Sequence, residues 1–189
     1  MCIRDRDGVD VRDMTQKELR DKLGYVPQKG VLFSGTIDSN IRYGKPEITD
    51  AQVKEAAEVA QATEFIDTKP EKYESPVSQG GTNVSGGQKQ RLSIARAIAK
   101  NPEIFIFDDS FSALDFKTDS QLRKALKEYT KDATTVIVAQ RISTILGADQ
   151  IIVLDDGHMA GIGTHKELMA NCEVYQQIAR SQLSEEELA

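Results

Sequence analysis

Residues 83–91 read Asn-Val-Ser-Gly-Gly-Gln-Lys-Gln-Arg and place two adjacent glycines at the start of a helical pattern. A glycine inside a helix costs about 1 kcal/mol relative to alanine. The plain interpretation is a capped helix, because Ser85 and Gln88 fit the S-x-x-Q capping box. The alternative interpretation is that Gly86 and Gly87 let a phosphate approach the free amides at the positive end of the helix dipole.

The residues that follow continue the helical pattern. Apolar residues recur at helical spacing and form one face, at Leu92, Ile94, Ala95, Ile98 and Ala99. In the plain interpretation the basic side chains are solvated, at Lys89, Arg91 and Arg96. The whole string, with Leu-Ser-Ile-Ala-Arg-Ala at residues 92–97, resembles the signature segment of ATP-binding cassette (ABC) ATPases. The resemblance implies that four residues bind the γ-phosphate of an ATP held by a second nucleotide-binding domain: Ser85, Gly86, Gly87 and Gln88.

A continuous apolar run at residues 104–107 predicts a strand that is buried on both faces. The run ends in Asp108 and Asp109, and open α/β sheets bind ligands at the carboxyl ends of their parallel strands. Two polar residues after a strand are also common without any function. The segment resembles the Walker B motif, which implies that Asp108 helps to hold Mg²⁺, usually through water.

Two further segments resemble ABC motifs. Residues 24–28 predict a short strand stopped by Pro27. They resemble the Q-loop, which implies that Gln28 reaches Mg²⁺ and the attacking water. Residues 111–115 resemble the D-loop, which crosses the interface between two nucleotide-binding domains; after Phe111 its residues are Ser112, Ala113, Leu114 and Asp115.

Residues 31–37 read Val-Leu-Phe-Ser-Gly-Thr-Ile and resemble exporters rather than importers. The resemblance implies that this region contacts the coupling helices of a transmembrane domain. The alternative is that Val31, Leu32 and Phe33 are ordinary core residues.

Local patterns predict the remaining elements. Thr49 and Gln52 predict a capped helix at residues 50–61, with an apolar stripe at Val53, Ala56, Ala57 and Ala60. A second buried strand is predicted at residues 134–139 and a third strand at residues 151–154. Asp156 and Gly157 predict a tight hairpin turn after the third strand. Thr164 and Glu167 predict the capped start of a C-terminal helix.

Two positions depart from the family pattern. A glutamate normally follows the Walker B aspartate as general base, and Asp109 is one methylene shorter. A base must come within about 2.6–3.2 Å of the proton that it removes. The switch position after the next strand is normally histidine, and Gln140 has no proton that titrates near neutral pH. Because both changes weaken hydrolysis and spare binding, the pair resembles the degenerate subunit of heterodimeric bacterial multidrug exporters.

The phosphate loop G-x-x-x-x-G-K-[ST] does not occur in this sequence, and Gly44-Lys45 predicts only a loop. We therefore expect a chain that lacks the first part of its domain and a membrane domain before it. The expected divisions are a leader at 1–6, the remaining N-terminal ATPase core with the Q-loop at 7–44, a helical subdomain with the signature at 45–100, the C-terminal core at 101–182 and an acidic tail at 183–189. The expected fold class is α/β, a P-loop NTPase (RecA-like) parallel-sheet core, incomplete at its N-terminus, with an inserted helical subdomain.

Composition limits the classes of function. A chain of 189 residues predicts one domain with a proper core, and the net charge of −6 argues against general nucleic-acid binding. No apolar run approaches the roughly 20 residues of a spanning helix. Cys2 and Cys172 form no metal or redox motif and are expected as free thiols, and His158 and His165 are expected at the surface.

Together these patterns predict an ATP-binding and ATP-hydrolysing component of an ABC exporter that uses ATP and Mg²⁺. The resemblance implies that it works at the cytoplasmic face of a bacterial membrane, with a second nucleotide-binding domain and a transmembrane domain, to export a drug-like or lipid-like substrate. We expect the catalytically weak half of a heterodimer. A homodimeric exporter ATPase is one alternative. A non-catalytic protein that lends only its signature helix to another subunit is the other, since a chain without a phosphate loop is expected to be inactive alone.

Overall fold

The computed structural model describes residues 5–6 and 8–184, and the chain divides into two compact units between Val138 and Ala139. The expected leader falls within these residues only at Asp5 and Arg6. Cys2, Asp7 and residues 185–189 of the expected acidic tail lie outside the described residues. None of the described helices combines the length and the apolar composition that crossing a bilayer requires.

The first unit alternates short strands with helices. In chain order it contains β1 (Asp5–Arg6), β2 (Val9–Asp10), α1 (Gln16–Asp21), β3 (Leu23–Val26), β4 (Gly35–Thr36), α2 (Ile37–Ile41), α3 (Asp50–Val59), α4 (Thr63–Asp67), β5 (Pro76–Val77), α5 (Gly86–Ala99), β6 (Ile104–Asp108), α6 (Phe116–Tyr129) and β7 (Thr134–Val138). The second unit contains α7 (Ile142–Ile145), β8 (Ile151–Asp155), β9 (His158–Gly163), α8 (His165–Asn171) and α9 (Glu173–Gln182).

A parallel sheet of three strands, in the order β3-β6-β7, forms the centre of the first unit. Val26 of β3 lies opposite Phe107 of β6, and Asp108 of β6 lies opposite Val138 of β7. The strands therefore end together at one edge of the sheet. The predicted α/β class with a parallel sheet is confirmed, and β3 ends directly before Pro27 as predicted.

The predicted burial of two strands is wrong in part. In β6 only Phe105 and Phe107 are buried, because successive side chains point to opposite faces and one face packs on the core. The strand predicted at 134–139 ends at Val138 and is largely exposed. It lies at the edge of the sheet formed by the described residues, so its apolar pattern does not correspond to burial on both faces.

Helix α5 is the central helix of the first unit and packs against α2, α3 and β3. Its predicted apolar face is buried, at Leu92, Ile94, Ala95, Ile98 and Ala99. Each fully buried leucine or isoleucine contributes about 1.5–3 kcal/mol relative to exposure. The facing stripe of α3 is also buried as predicted, at Val53, Ala56, Ala57 and Ala60, where small residues allow close approach of the two helices.

Three predicted capping boxes are present, at the starts of α3, α5 and α8. Helix α3 ends at Val59 rather than at Gln61, whose φ of 55° is left-handed and incompatible with continuing the helix. The division of this unit at residues 45 and 100 stays a prediction.

The second unit is a hairpin packed on two helices. Strands β8 and β9 pair antiparallel, and Asp156 and Gly157 both have positive φ, as the predicted tight turn requires. Inward residues of β8 pack in one cluster with Leu168, Cys172 and Tyr175. Cys172 is a buried free thiol.

The two histidines of this unit differ in exposure. His158 is exposed, as predicted. His165 is half-buried, and its Nδ1 lies 2.7 Å from Tyr175 Oη. The prediction that both histidines are surface residues therefore holds only for His158.

Candidate functional site

The carboxyl ends of β3 and β6 bring the predicted Q-loop and Walker B residues together. Because the two strands are parallel neighbours, Gln28 and Asp109 leave the sheet at the same edge. Gln28 Nε2 donates a hydrogen bond to Asp109 Oδ2 at 3.0 Å. Two residues that are 81 positions apart in the sequence thus meet beside Asp108, and the predicted action of Gln28 on Mg²⁺ and water stays a prediction.

The backbone of Asp109 is held in a tight turn. Its φ is 44°, a left-handed conformation that aspartate tolerates better than most residues. Its amide donates to Val138 O at 2.9 Å, and its carbonyl accepts from Ser112 Oγ at 2.9 Å. The turn therefore joins the end of β6 to the D-loop and sets the direction of the Asp109 side chain.

Tyr25 is a residue at this edge that the motif pattern does not identify. Its Oη donates to Asp108 Oδ2 at 3.1 Å, although its side chain is 55% exposed. This hydrogen bond, with desolvation and the charge of the carboxylate, raises the pKa of Tyr25 above its ordinary value. Tyr25 of β3 lies opposite Ile106 of β6, and Ile106 and Asp108 share one face of β6. The contact could therefore be found only with the pairing register of the two strands, which the motif pattern does not give.

Ser110 is a second residue that the motif pattern does not identify. It is completely buried, and its Oγ donates to Val26 O at 2.8 Å. This bond ties the segment after β6 to the last residue of β3. It therefore helps to keep the Q-loop and the two aspartates in one place.

The start of α5 has the geometry of both interpretations offered for residues 83–91. Ser85 Oγ accepts from the Gln88 amide at 3.2 Å, and Gln88 Oε1 accepts from the Ser85 amide at 3.1 Å, so the capping box is complete. Ser85 and Gly86 are exposed. A Cβ added to Gly86 would meet nothing within 4 Å, so packing among the described residues does not explain a glycine there.

Gly87 lies beside the D-loop. A Cβ at Gly87 would make ordinary contacts with Ala113 O at 3.5 Å and Leu114 Cδ2 at 3.8 Å. The D-loop is anchored by buried Phe111 and Leu114 and exposes Ser112 and Ala113. The exposed residues Ser85, Gly86, Ser112 and Ala113 thus lie on either side of half-buried Gly87, and we call these five residues the signature surface.

Asp115 ends the D-loop and caps the next helix. Its Oδ1 accepts from the Thr118 amide at 3.0 Å, at the start of α6. This backbone hydrogen bond lowers the pKa of Asp115 from its ordinary value, because it stabilises the charged form. Asp115 thus has a structural role in addition to its predicted place at a domain interface.

Arg91 and Arg96 are not solvated as the plain interpretation of α5 expects, because both guanidinium groups bond neighbouring segments. Arg91 Nη1 donates to Gln61 O at 2.7 Å. Arg96 Nε donates to Asn40 O at 2.8 Å, and burial lowers the pKa of Arg96 from its ordinary value. Both side chains therefore tie α5 to its neighbours.

The exporter-like segment divides between core and surface. Leu32 is 1% exposed and belongs to the core, whereas Val31 is 51% exposed. Phe33 stacks on Tyr43 with 4.1 Å between ring centroids, and Arg96 lies 5.2 Å from the Phe33 ring. We call Val31, Phe33 and Tyr43 the aromatic surface. The core interpretation is therefore right for Leu32, and Val31 stays available for a partner.

Gln140 belongs to the second unit, so its action beside Asp108 and Asp109 stays a prediction. Within that unit, Gln182 Nε2 donates to Gln140 O at 2.9 Å, and Gln182 Oε1 accepts from the Ile142 amide at 2.9 Å. The end of α9 thus holds the backbone of the switch segment.

The oxygen atoms at the sheet edge fit a partial Mg²⁺ site. Asp108 supplies a carboxylate, and Gln28 donates to Asp109 through Nε2, so the Oε1 atom of Gln28 takes no part in that hydrogen bond. Among residues 5–6 and 8–184, no group of three or more His, Cys, Asp or Glu residues is close enough to bind a metal alone. Such a sparse site suits Mg²⁺, which is usually bound by one or two carboxylates together with water and substrate phosphates.

Known proteins resemble this chain over most of its length. The family model described as ABC transporter matches residues 4–112. An uncharacterised ABC transporter ATP-binding protein of Mycobacterium tuberculosis is 46% identical over 179 residues, which are 93% of this chain and 30% of the relative. A putative multidrug export ATP-binding/permease protein of Staphylococcus aureus is 45% identical over 172 residues, which are 91% of this chain and 30% of the relative.

A solved structure of a bacterial Atm1-family ABC exporter with ATP bound superposes with a TM-score of 0.90. It is 40% identical in sequence, and the match covers 95% of this chain and 32% of the exporter chain. The chain therefore spans about a third of the length of these relatives.

Proposed function

Because this chain belongs to the ABC transporter family and carries part of its ATPase domain, we propose that it binds and hydrolyses ATP as the nucleotide-binding component of an exporter. The observation that carries the proposal is the Gln28–Asp109 hydrogen bond beside Asp108 at the ends of two parallel strands. The reaction is the attack of water on the γ-phosphate of ATP, which yields ADP and phosphate.

The residues at the sheet edge have distinct roles in this proposal. Asp109 accepts the proton of the attacking water, and Gln28 orients that water and steadies the Asp109 carboxylate. Asp108, held by Tyr25, would hold Mg²⁺ together with Gln28. When bound, Mg²⁺ would neutralise charge on the phosphate oxygens.

The signature surface acts on a second nucleotide. Ser85, Gly86, Gly87 and Gln88 bind the γ-phosphate of an ATP held by another nucleotide-binding domain, with the Gly86 and Gly87 amides, which lie outside the capping box, directed to the phosphate. The open space at Gly86 supports this role, because a phosphate can approach the backbone there without meeting a side chain. The D-loop residues Ser112–Asp115 lie at the same domain interface.

We further propose that this chain is the catalytically weak half of a heterodimer. Asp109 is one methylene shorter than the usual glutamate, and one of its oxygens already accepts a bond from Gln28. Gln140 can bond a phosphate oxygen but cannot titrate near neutral pH. Both changes favour holding ATP over cleaving it.

The aromatic surface supports a partner in the membrane. Val31 and Tyr43 are more than half exposed, Phe33 stacks on Tyr43, and Arg96 lies against both rings. We place the coupling helices of a transmembrane domain on this surface, at the cytoplasmic face of a bacterial membrane. The exported compound is drug-like or lipid-like in this proposal, and the name of the S. aureus relative, a putative multidrug exporter, is consistent with it.

The test is to restore the usual residues, with Asp109→Glu and Gln140→His together, in the full-length protein assembled with its partner. Hydrolysis at this chain's own site should rise on the order of tenfold or more, because a longer carboxylate reaches the water and histidine, unlike glutamine, carries a proton that titrates near neutral pH. The measurement is site-resolved nucleotide trapping after a single turnover.

The matched control is Asp109→Asn with Gln140→His. This variant has no carboxylate at the position of the general base, so hydrolysis at this site should not rise. If the Glu and His variant shows no rise either, the assignment of the general base is wrong. If the unmodified protein hydrolyses ATP at a normal rate without a second kind of subunit, it is a homodimeric ATPase and the heterodimer proposal fails.

A further inference from the structure

Gln90 is a buried residue near the end of the signature segment, and its side chain contacts the Q-loop. It lies in the second turn of α5, and its side chain is 1% exposed. Its Oε1 accepts from the Gly30 amide at 2.9 Å, and its Nε2 donates to Pro27 O at 3.0 Å. One side chain therefore grips the backbone on both sides of Gln28, across 60 positions of sequence.

The Q-loop also approaches the backbone of α5 very closely. A Cβ added to Gly30 would lie 2.9 Å from Lys89 O and 2.8 Å from Ser93 Oγ. Real Cβ atoms do not come so close to other atoms, so only glycine allows the loop to reach α5 at this distance. The contact between Gln90 and the loop is thus part of a tightly packed interface.

Two further hydrogen bonds hold the Q-loop, one before Gly30 and one after it. On one side, Gln28 donates to Asp109 at 3.0 Å. On the other, Arg96, further along α5, donates to Val31 O at 2.9 Å. Helix α5 therefore carries the signature at its first residues, Gln90 under the Q-loop and Arg96 under the aromatic surface.

We propose that Gln90 is a positioning residue, which makes the placement of Gln28 depend on the placement of the signature helix. A displacement of α5 on engaging a phosphate moves Pro27 O and the Gly30 amide with it, and these atoms flank Gln28. Nucleotide held at the signature of this chain is thereby sensed at the chain's own carboxylates. The proposal rests on the proposed ATPase function.

The test is a double-mutant cycle with Gln90→Met and Gln28→Ala in the full-length protein with its partner. Methionine matches the length of glutamine but makes neither hydrogen bond. We expect Gln90→Met alone to lower kcat at this chain's own site, measured by site-resolved nucleotide trapping, about tenfold and to leave KM within about twofold, because positioning and not binding is lost. In the Gln28→Ala background the same change should have almost no further effect on kcat.

A matched control is Thr130→Val, which removes a buried hydrogen bond away from the Q-loop. Thr130 Oγ1 donates to Leu126 O at 2.8 Å, so this variant loses a local bond at the end of α6 and should retain the normal kcat. Hydrogen exchange at the Gly30 amide, measured by NMR, gives a second readout, and it should be faster in Gln90→Met but unchanged in Thr130→Val.

The outcomes separate the two proposals. If the unmodified protein shows no ATP hydrolysis, the proposed function fails. If it hydrolyses ATP and Gln90→Met lowers kcat by the same factor with and without Gln28, Gln90 has only a structural role and the positioning proposal is overturned. An unchanged kcat in Gln90→Met, with faster exchange at Gly30, overturns it equally.

Discussion

Two glycines of the first unit, Gly30 and Gly86, lie in contrasting surroundings. At Gly30 a methyl group would collide with the backbone oxygen of Lys89 and with Ser93, whereas at Gly86 it would meet nothing within 4 Å. Neither residue has the left-handed φ that most often requires glycine. The comparison teaches that Gly30 is needed for packing within the chain, whereas packing among the described residues gives no reason for Gly86, which we propose is bare so that a phosphate can approach the helix start.

The largest effect is expected for Gly86→Ala. A methyl group at the start of α5 would hinder the approach of a phosphate, and ATP turnover at the partner's site should fall on the order of 100-fold. Stability should stay the same or rise by up to about 1 kcal/mol, because alanine favours the helix. Single-turnover hydrolysis and thermal unfolding measure the two effects. Normal turnover in this variant would remove the functional reason for the glycine.

The opposite change in stability is expected for Gly30→Ala. The added methyl group forces the Q-loop away from α5, and the free energy of unfolding should fall by about 1–3 kcal/mol, as for other overpacked sites. Urea denaturation of both glycine variants measures the difference. An unchanged midpoint for Gly30→Ala would show that the loop moves aside freely, and the contrast between the two glycines would disappear.

The smallest effect is expected when the N-cap hydroxyl is removed from either of two helices that have the same kind of cap. Ser85→Ala and Thr49→Ala each remove the hydroxyl of a capping box, and each should cost about 1 kcal/mol of stability. Only Ser85→Ala should also lower ATP turnover, since only the start of α5 belongs to the signature surface. Equal turnover in the two variants would mean that Ser85 is only a cap.

The structure contains the helix caps and the turn that local sequence patterns predict. The capping boxes at Ser85, Thr49 and Thr164 and the turn at Asp156-Gly157 are all present. These features depend on residues within about four positions of one another, so the chemistry that forms them is visible in a short window. Pro27 ends its strand for the same kind of local reason.

The predictions that failed concern burial and partners. The apolar pattern of β7 does not show that the strand lies at the edge of the described sheet. Nor does the run Val31, Leu32, Phe33 show which member enters the core. Long side chains mislead most, since the plain interpretation of α5 leaves Arg96 in water, whereas its guanidinium bonds Asn40, which lies 56 positions away.

The sequence by itself determined the family, because the nine signature residues and three short motifs stand in the order typical of ABC ATPases, whereas the roles of the individual site residues stay a prediction. Only the tertiary structure decided how those motifs are held. Gln90 bonds two backbone groups of a loop 60 positions away, and Tyr25 bonds Asp108 across 83 positions. The physical reason is that helix and turn signals are local, whereas a buried amide finds its partners only after parallel strands and packed helices have brought distant segments together.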